Sequence, residues 1–475
     1  MFVPRQLGLT KQALRSSVYL LVVLTVVLVY FFTRPSQVYA DSPLVLDLEF
    51  YTCYRPFCTE SENVRVDKDL GLGKALFKRT YLQKKLGDSD DTAVVDVSVG
   101  KPEYKPGDLW KPRGHGVWVK YGPSKNAIID ATVLFQPSDP RPGWTVLTEP
   151  LHTDTDHHVY ISYRRPAKTP ARPQLSFKNN KFKILQVADL HFSTLDGVCR
   201  DPWPKLAPGE KCQADPKTTH FVETVLDLEK PDLVVMTGDQ IYGPGSPDTE
   251  TTILKVCDIF ERHKTPYAMV FGNHDDEGSL LRDEIMEIVE GLPYSLSSAG
   301  PANVSGVGNY VLQVQNKLAL YFLDSHKKLT KVLGYDYLKE DQIQWIKSSW
   351  VPATVSMAFF HIPLPEYRNT DAIAFGNYKE GVMAPHVNSG MAQTFKEIGV
   401  SVASVGHDHC NDFCLHSDLW LCYGGAVGEG GYGGYGGTER RMRVFEVDAT
   451  NGLVSTWQRL HSDPQTVIEH HVLEK

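Results

Sequence analysis

Several chemical signatures are absent from this chain of 475 residues. None of its eight cysteines stands in a Cys-x-x-Cys pair, which argues against a thiolate-held zinc. There is no Gly-x-Ser-x-Gly elbow and no P-loop lysine, so neither a serine hydrolase built on that elbow nor a P-loop nucleotidase is supported. An excess of positive charge is missing too. Lys and Arg number 49 against 57 Asp and Glu, a net charge of −8. A protein that grips nucleic-acid backbone is normally basic, so no nucleic-acid partner is expected. With 37 Gly and 30 Pro the chain is neither collagen-like nor low-complexity. What remains is an ordinary globular balance, 42% hydrophobic and 22% charged. At about 150 residues per domain, the length suits two or three domains.

Charge is missing in one more place. Val18 to Phe32 (VYLLVVLTVVLVYFF) carries none, and the uncharged stretch between Arg15 and Arg34 covers 18 residues. A bilayer-spanning helix needs about 20. Arg5, Lys11 and Arg15 precede the run; Asp41, Asp47 and Glu49 follow it. The positive-inside bias places a short tail, residues 1–17, in the cytosol, a signal anchor at 18–33, and everything after it across the membrane. The expectation is a single-pass type II membrane protein of the secretory pathway (ER, Golgi or vacuole) with its body in the lumen. The alternative is a signal peptide cut after Ala40, giving a secreted protein. The cysteines agree with either compartment. Cys53 and Cys58, Cys199 and Cys212, and Cys414 and Cys422 each bracket a short connection. Oxidising compartments favour such local bridges, although connectivity does not follow from sequence. Asn303-Val304-Ser305 is a glycosylation sequon.

Beyond the run, residues 41–165 show short alternating segments such as Ala93–Val99, Gly116–Tyr121, Ala127–Phe135 and His158–Tyr163, separated by turn clusters. That pattern predicts a small β-rich domain. His152, Asp154, Asp156, His157 and His158 look metal-like, but a polar turn entering a strand accounts for them. Residues 166–180 have linker composition. From 181 the pattern changes: strand Phe182–Ala188, helix Thr218–Leu228, strand Asp232–Met236, helix Thr252–Arg262, strand Tyr267–Phe271. Leu318–Leu323, Thr354–Phe360 and Val400–Val405 are further apolar strands, and Arg441–Val447 with Val454–Leu460 reads as a closing hairpin. Strands alternating with helices predict an α/β fold with buried sheet. This second domain spans 181–462, and 463–475 is left as a C-terminal tail.

The apolar strands end in polar clusters. ILQVA runs into Asp189-Leu190-His191, and LVVMT into Gly238-Asp239. AMVF runs into Gly272-Asn273-His274-Asp275, SMAFF into His361, and VASV into Gly406-His407-Asp408-His409. Ligands bind beyond the carboxyl ends of strands in α/β sheets. Singly, each cluster reads as well as a turn; five in order point to a metal centre. Oxygen and imidazole donors without thiolate suit Mn, Fe or Zn, and the donors suffice for two ions. The glycines before Asp239, Asn273 and His407 are expected to supply an unusual φ at sharp turns. The run Gly424–Gly437 lacks a nucleotide-binding fingerprint and is expected to make tight turns beside the site.

These motifs resemble the calcineurin-like metallophosphoesterase superfamily. FFHIPLPEY (Phe359–Tyr367), HDHCNDFC (His407–Cys414) and Tyr423–Gly437 resemble more narrowly its purple-acid-phosphatase-like branch of fungi and plants. The resemblance covers about residues 181–460. It implies a four-layer α/β sandwich, sheets flanked by helices, and a phosphatase using two divalent or trivalent metal ions. Asp189, His191, Asp239 and His409 would hold one ion; Asp239, Asn273, His361 and His407 would hold the other. Catalytic residues would be His274, assisting the leaving group, and Asp275, orienting that imidazole. The substrate would be a phosphomonoester, small molecule or phosphoprotein, attacked by water activated between the ions. Tyr242 lies where true purple acid phosphatases carry an iron-binding tyrosinate, but those lack the histidine found here at His191, so His191 is preferred as ligand. Asp324 and His326 either line the pocket or cap a loop. A phosphodiesterase with the same centre, or a tethered binding protein without turnover, are the alternatives.

Overall fold

The computed structural model describes residues 43–59, 64–88, 92–168, 170–434 and 437–474. The apolar run at 18–33 and the cleavage position at Ala40 lie outside them. Among the described residues no helix is long and apolar enough to cross a membrane. Residues 44–475 form one compact unit.

Nine strands come first: β1 (Leu44–Tyr54), β2 (Val64–Asp69), β3 (Lys78–Gly87), β4 (Ala93–Val99), β5 (Leu109–Gly114), β6 (Val117–Gly122), β7 (Asp130–Leu134), β8 (Trp144–Val146) and β9 (Tyr160–Arg164). They make three antiparallel sheets ordered β1-β3-β2, β4-β6-β5 and β7-β9-β8. Val45, Leu48, Leu82, Val119, Val133 and Ile161 share one core, as the alternating pattern predicts. The His- and Asp-rich segment before β9 is a turn: Asp156 accepts from Lys74 Nζ at 2.7 Å and His157 Nε2 meets Leu70 O at 2.9 Å.

The rest holds β10 (Lys181–Val187), α1 (Ala214–Glu229), β11 (Leu233–Thr237), α2 (Thr249–Arg262), β12 (Tyr267–Val270), α3 (Arg282–Glu290), β13 (Tyr310–Val314), β14 (Leu318–Phe322) and α4 (Glu340–Ser348). It continues with β15 (Val355–Phe359), β16 (Ile373–Phe375), α5 (Met391–Glu397), β17 (Val402–Val405), β18 (Cys414–His416), β19 (Trp420–Tyr423), β20 (Arg441–Asp448), β21 (Leu453–Leu460) and β22 (Ile468–Leu473). Two sheets result, ordered β12-β11-β10-β20-β21-β22 and β13-β14-β15-β17-β19-β18-β16. Within them β10, β11 and β12 are parallel neighbours, as are β14, β15, β17 and β19.

Side-chain alternation sorts the layers. In β10 and β11, Phe182, Ile184, Leu233 and Val235 join Leu320, Phe322, Met357 and Phe359 of the second sheet in one core. The opposite faces, with Leu185, Val187, Val234 and Met236, pack on Phe221, Val225, Ile253 and Phe260 of α1 and α2. Ala319, Tyr321 and Ala358 on the outer face of the second sheet pack on Ile343, Ile346 and Phe395 of α4 and α5. Both faces of each sheet are therefore buried, which is why the strands read as continuous apolar runs. The order helices, sheet, sheet, helices is the α/β sandwich expected.

One segment departs from expectation. Residues 463–475, read as a tail, carry β22, which pairs antiparallel with β21 as an edge strand. Its sequence, IEHHVL, is short and half polar, as befits an edge, and that hides it from apolar patterning.

The β-rich segment is fastened to α2 through charge. Lys68 Nζ lies 3.3 Å from Asp248 and also pairs with Glu250, and Glu250 pairs with Arg141. Arg141 Nη2 in turn meets Asp139 at 2.6 Å. All are largely withdrawn from solvent. Removing one member strands the others, so Arg141→Ala is expected to cost about 3 kcal/mol of stability. The urea-unfolding midpoint measures it; a change under about 1 kcal/mol would show that the network is solvated.

Candidate metal centre

The carboxyl ends of β10, β11, β12, β15 and β17 carry Asp189, Asp239, Asn273, His361 and His407 in the loops that follow. Four residues in these turns leave the strand in the left-handed region: Asp189 (φ 55°), His191 (51°), Asp239 (51°) and His407 (78°). Non-glycine residues rarely adopt that backbone, and such strain concentrates at functional sites. The expectation for the glycines is only partly met. Gly238 has φ 91°, but Gly272 and Gly406 do not need a positive φ. They are small because a Cβ on Gly272 would lie 2.2 Å from Asp239 N, and one on Gly406 2.6 Å from Asp189 Oδ2.

The side chains gather in two groups. Asp189, His191, Asp239 and His409 bring one donor atom each within 4.8 Å of one another, and so do Asp239, His361 and His407. All are buried. Asp239 is common to both because its two oxygens are differently used. Oδ1 accepts the backbone N–H of His274 at 2.8 Å. Oδ2 lies 3.6 Å from His191 Nε2 and 3.4 Å from His361 Nε2. His191 Nε2 and His409 Nε2 are 3.1 Å apart, and His407 Nδ1 and His361 Nε2 are 3.2 Å apart. Asn273 Oδ1 sits 3.2 Å from His361 Nε2. Asp189 Oδ1 is 3.3 Å from His409 Nε2.

These spacings fit metal ions. Two donors each about 2.1 Å from one cation, at tetrahedral or octahedral angles, lie about 3.0–3.4 Å apart. The tautomers agree. His361 Nδ1 donates to Thr237 O at 2.9 Å and His409 Nδ1 to Tyr432 O at 2.8 Å, which leaves each Nε2 lone pair facing the cluster. His407 Nε2 and His191 Nδ1 are buried without a hydrogen-bond partner. Such imidazoles gain little from this environment unless their other nitrogen binds something.

Burial pushes His191 down to about 3, keeping it neutral, the form that ligates. Burial also disfavours charge on His361, but Asp239 outweighs it and lifts that group to about 9. Burial opposes charge on Asp239 as well, yet the histidines around it hold its carboxyl well below the usual range. Metal binding at such donors would compete with protons.

His274 is half-buried on the rim, its ring 5.5 Å from that of His191. Its partner is not the one expected. Asp275 accepts backbone N–H groups, from Asp239 at 3.0 Å, Ile241 at 3.1 Å and Gly272 at 2.6 Å. Asp275 therefore splices the turn after β11 to the turn after β12. The carboxylate on His274 Nδ1, at 2.5 Å, belongs to Glu277. The motif spacing put Asp275 beside His274 in sequence, but a residue's neighbour in a tight turn faces away from it. His274 is held above its ordinary pKa: burial lowers it, while Asp239 and Glu277 outweigh that.

Tyr242 lies beside the first group, its ring 6.3 Å from that of His191. Asp324 and His326 belong to a supporting network. Arg282 pairs with Asp324 and donates to Gly272 O at 2.7 Å, bracing the loop of Asn273 and His274, while His326 Nε2 meets Gln342 at 2.9 Å. Sequence reasoning missed Glu277, Arg282 and Tyr432. Tyr432 stacks on His409 with centroids 3.9 Å apart, and its position in the glycine run was the available signal.

That run backs the donor side chains. A Cβ on Gly428 would meet Leu190 O at 1.8 Å, and one on Gly430 would meet His191 O at 2.3 Å. One on Gly431 would fall between His409 Cε1 at 2.6 Å and His191 Cδ2 at 2.8 Å. The bridges Cys53–Cys58, Cys199–Cys212 and Cys414–Cys422 are present.

A two-group, oxygen-and-imidazole centre on an α/β sandwich defines the class, and comparison with known proteins gives the same result. The calcineurin-like phosphoesterase pattern matches residues 182–411. Phosphatase DCR2 of Saccharomyces cerevisiae is 44% identical over 386 residues, 73% of this chain and 66% of that protein. "Probable inactive purple acid phosphatase 28" of Arabidopsis thaliana is 33% identical over 362 residues, 67% of this chain and 90% of that protein. Among solved structures, the purple acid phosphatase PPD1 from yellow lupin seeds aligns over 90% of both chains at 12% identity, with a TM-score of 0.39. The chain belongs to the calcineurin-like phosphoesterase family, whose members use a two-metal centre.

Gly431→Ala is expected to push the two imidazoles apart and weaken metal binding by about tenfold or more. Metal titration of the stripped protein measures this; affinity within twofold of the unchanged chain would show that the run does not position the ligands.

Proposed function

We propose that the chain is a two-metal phosphatase that hydrolyses phosphomonoesters. The observation that carries this reading is Asp239 Oδ2, one carboxylate oxygen within 3.6 Å of an imidazole nitrogen of each donor group. Asp189, His191, Asp239 and His409 would hold one ion, and Asp239, Asn273, His361 and His407 the other. Bound there, Mn, Fe or Zn would supply Lewis-acid charge toward a phosphate and a water nucleophile at mild pH.

The chain's own residues supply the rest. His274 Nδ1 donates to Glu277, which fixes the ring and leaves Nε2 to protonate the departing oxygen. Asp239 Oδ1, taken by the His274 N–H, ties the ring's backbone to the shared carboxylate. Asp275 locks the two turns together. The uncharged run at 18–33 supports tethering at a membrane, and three local disulfides support a lumenal or extracellular body.

Asp239→Asn is expected to lower the metal content of the purified chain from two ions and to abolish turnover of 4-nitrophenyl phosphate, by at least a thousandfold. A variant retaining both ions and its rate would overturn the proposal. Turnover of bis(4-nitrophenyl) phosphate in preference to the monoester would assign the diesterase reading. Two bound ions with no turnover of either ester would favour a binding protein without turnover.

His274→Ala is expected to slow alkyl phosphates by about a hundredfold or more, and 4-nitrophenyl phosphate much less, because nitrophenolate leaves without a proton. Equal losses on both esters would remove His274 from the leaving-group side.

A further inference from the structure

We infer that Arg200 forms a second anion-binding subsite on the leaving-group side of the metal centre, selecting phosphomonoesters whose organic part carries another carboxylate or phosphate. The inference rests on the phosphatase reading and narrows its substrate.

Arg200 stands in the segment closed by Cys199–Cys212. Its backbone is held at both polar atoms. Arg200 N–H donates to Glu429 O at 2.8 Å, and Arg440 Nη2 donates to Arg200 O at 2.8 Å. The next residue, Asp201, accepts from Gly433 N–H at 3.1 Å. Glu429 and Gly433 belong to the same glycine run that backs His191 and His409. The segment is therefore positioned by the structure that shapes the centre.

The side chain is exposed, and among the described residues no carboxylate lies within ion-pair distance of it. Instead the guanidinium lies over the Tyr242 ring, 5.3 Å from its centroid. Tyr242 N–H donates to Phe192 O at 2.7 Å, which seats this tyrosine beside the first ligand turn. Its ring centroid is 6.4 Å from that of His274 and 6.3 Å from that of His191. The sequence of groups outward from the metal donors is thus His191 and His274, then Tyr242, then Arg200.

A guanidinium at this distance over a ring keeps N–H donors available, and those donors match carboxylate or phosphate two at a time. An exposed arginine with a fixed backbone and no ion-pair partner is open to an incoming anionic group. If His274 serves the leaving oxygen, the organic group leaves past His274, along the Tyr242 ring and under Arg200. Tyr242 then acts as the platform for Arg200 rather than as a metal ligand.

The test compares paired substrates. One pair is 4-nitrophenyl phosphate and its 3-carboxylated analogue, a short reach. The other is a phosphoserine peptide flanked by glutamates and the same peptide flanked by glutamines, a longer reach. The metal-loaded full chain is expected to prefer the acidic member of at least one pair. Arg200→Ala should reduce that preference, as a ratio of kcat/KM values, by about tenfold, and Arg200→Lys should restore it only in part. The pair that responds identifies the source of the second anion. Unchanged ratios in both pairs would overturn the inference, with the phosphatase reading intact. If the chain hydrolyses neither ester, the phosphatase reading fails and the subsite is judged by peptide binding. A dissociation constant for the acidic peptide raised about tenfold by Arg200→Ala, with the glutamine peptide unaffected, supports the subsite. Equal binding by both proteins overturns it.

Discussion

The orientation of one carboxylate, Asp239, governs the site. A carboxylate can face two cation positions through one oxygen or through both, and the hydrogen bonds it makes decide which oxygen is left free. The N–H of His274 takes Oδ1, and only Oδ2 remains toward His191 and His361. That N–H is held by the turn after β12, while Asp239 sits in the turn after β11. Asp275 joins the two turns by accepting from Asp239, Ile241 and Gly272. A buried carboxylate with such neighbours is costly unless its hydrogen bonds are made, and burial lifts Asp275 to about 7. Its backbone donors are what make it tolerable, and they also fix the spacing between the donor groups.

Backbone strain at the donor residues follows from the same geometry. A strand end points its side chains alternately up and down, whereas a metal needs several donors from one place. Turning Asp189, His191, Asp239 and His407 into the left-handed region brings their side chains together at the sheet edge. Such turns persist only where surrounding structure dictates them. The glycine run does so from one side: its backbone occupies space at Leu190, His191 and His409 that any side chain would need. Arg282 braces the Asn273 loop from the other side.

Much of this was legible from residue pattern. The apolar strands ending in Asp, Asn and His marked the sheet edge, because a strand buried on both faces must be apolar and its polar terminus is then conspicuous. β4 was located to the residue, and β10, β11, β15 and β17 to within one or two. Less was visible where contacts are long-range. Glu277 stands three residues beyond His274 and looks like any surface glutamate; only the turn's geometry sets it on the imidazole. β22 is an edge strand with little apolar content. The helices α3 and α4 are short, and their periodicity is too brief to separate from loops. The charge cluster of Lys68, Arg141 and Glu250 joins residues far apart in sequence, which no local pattern records.

The acidic balance of the chain, −8 overall, would repel a phosphate ester unless the site reversed it locally. The donor set explains how it can. Only Asp189 and Asp239 among the donors carry formal negative charge; the others are imidazoles and an amide. Two ions, if both divalent, held by two carboxylates would leave about two positive charges at the bottom of the site. A set of four carboxylates would have left none. Neutral donors would thus serve attraction as well as coordination, and burial keeps His191 and His407 neutral. His274, held above its ordinary pKa on the rim, brings no negative charge to that edge of the site. The same low-charge donor set that would hold the ions would therefore let an acidic protein accept a phosphorylated substrate.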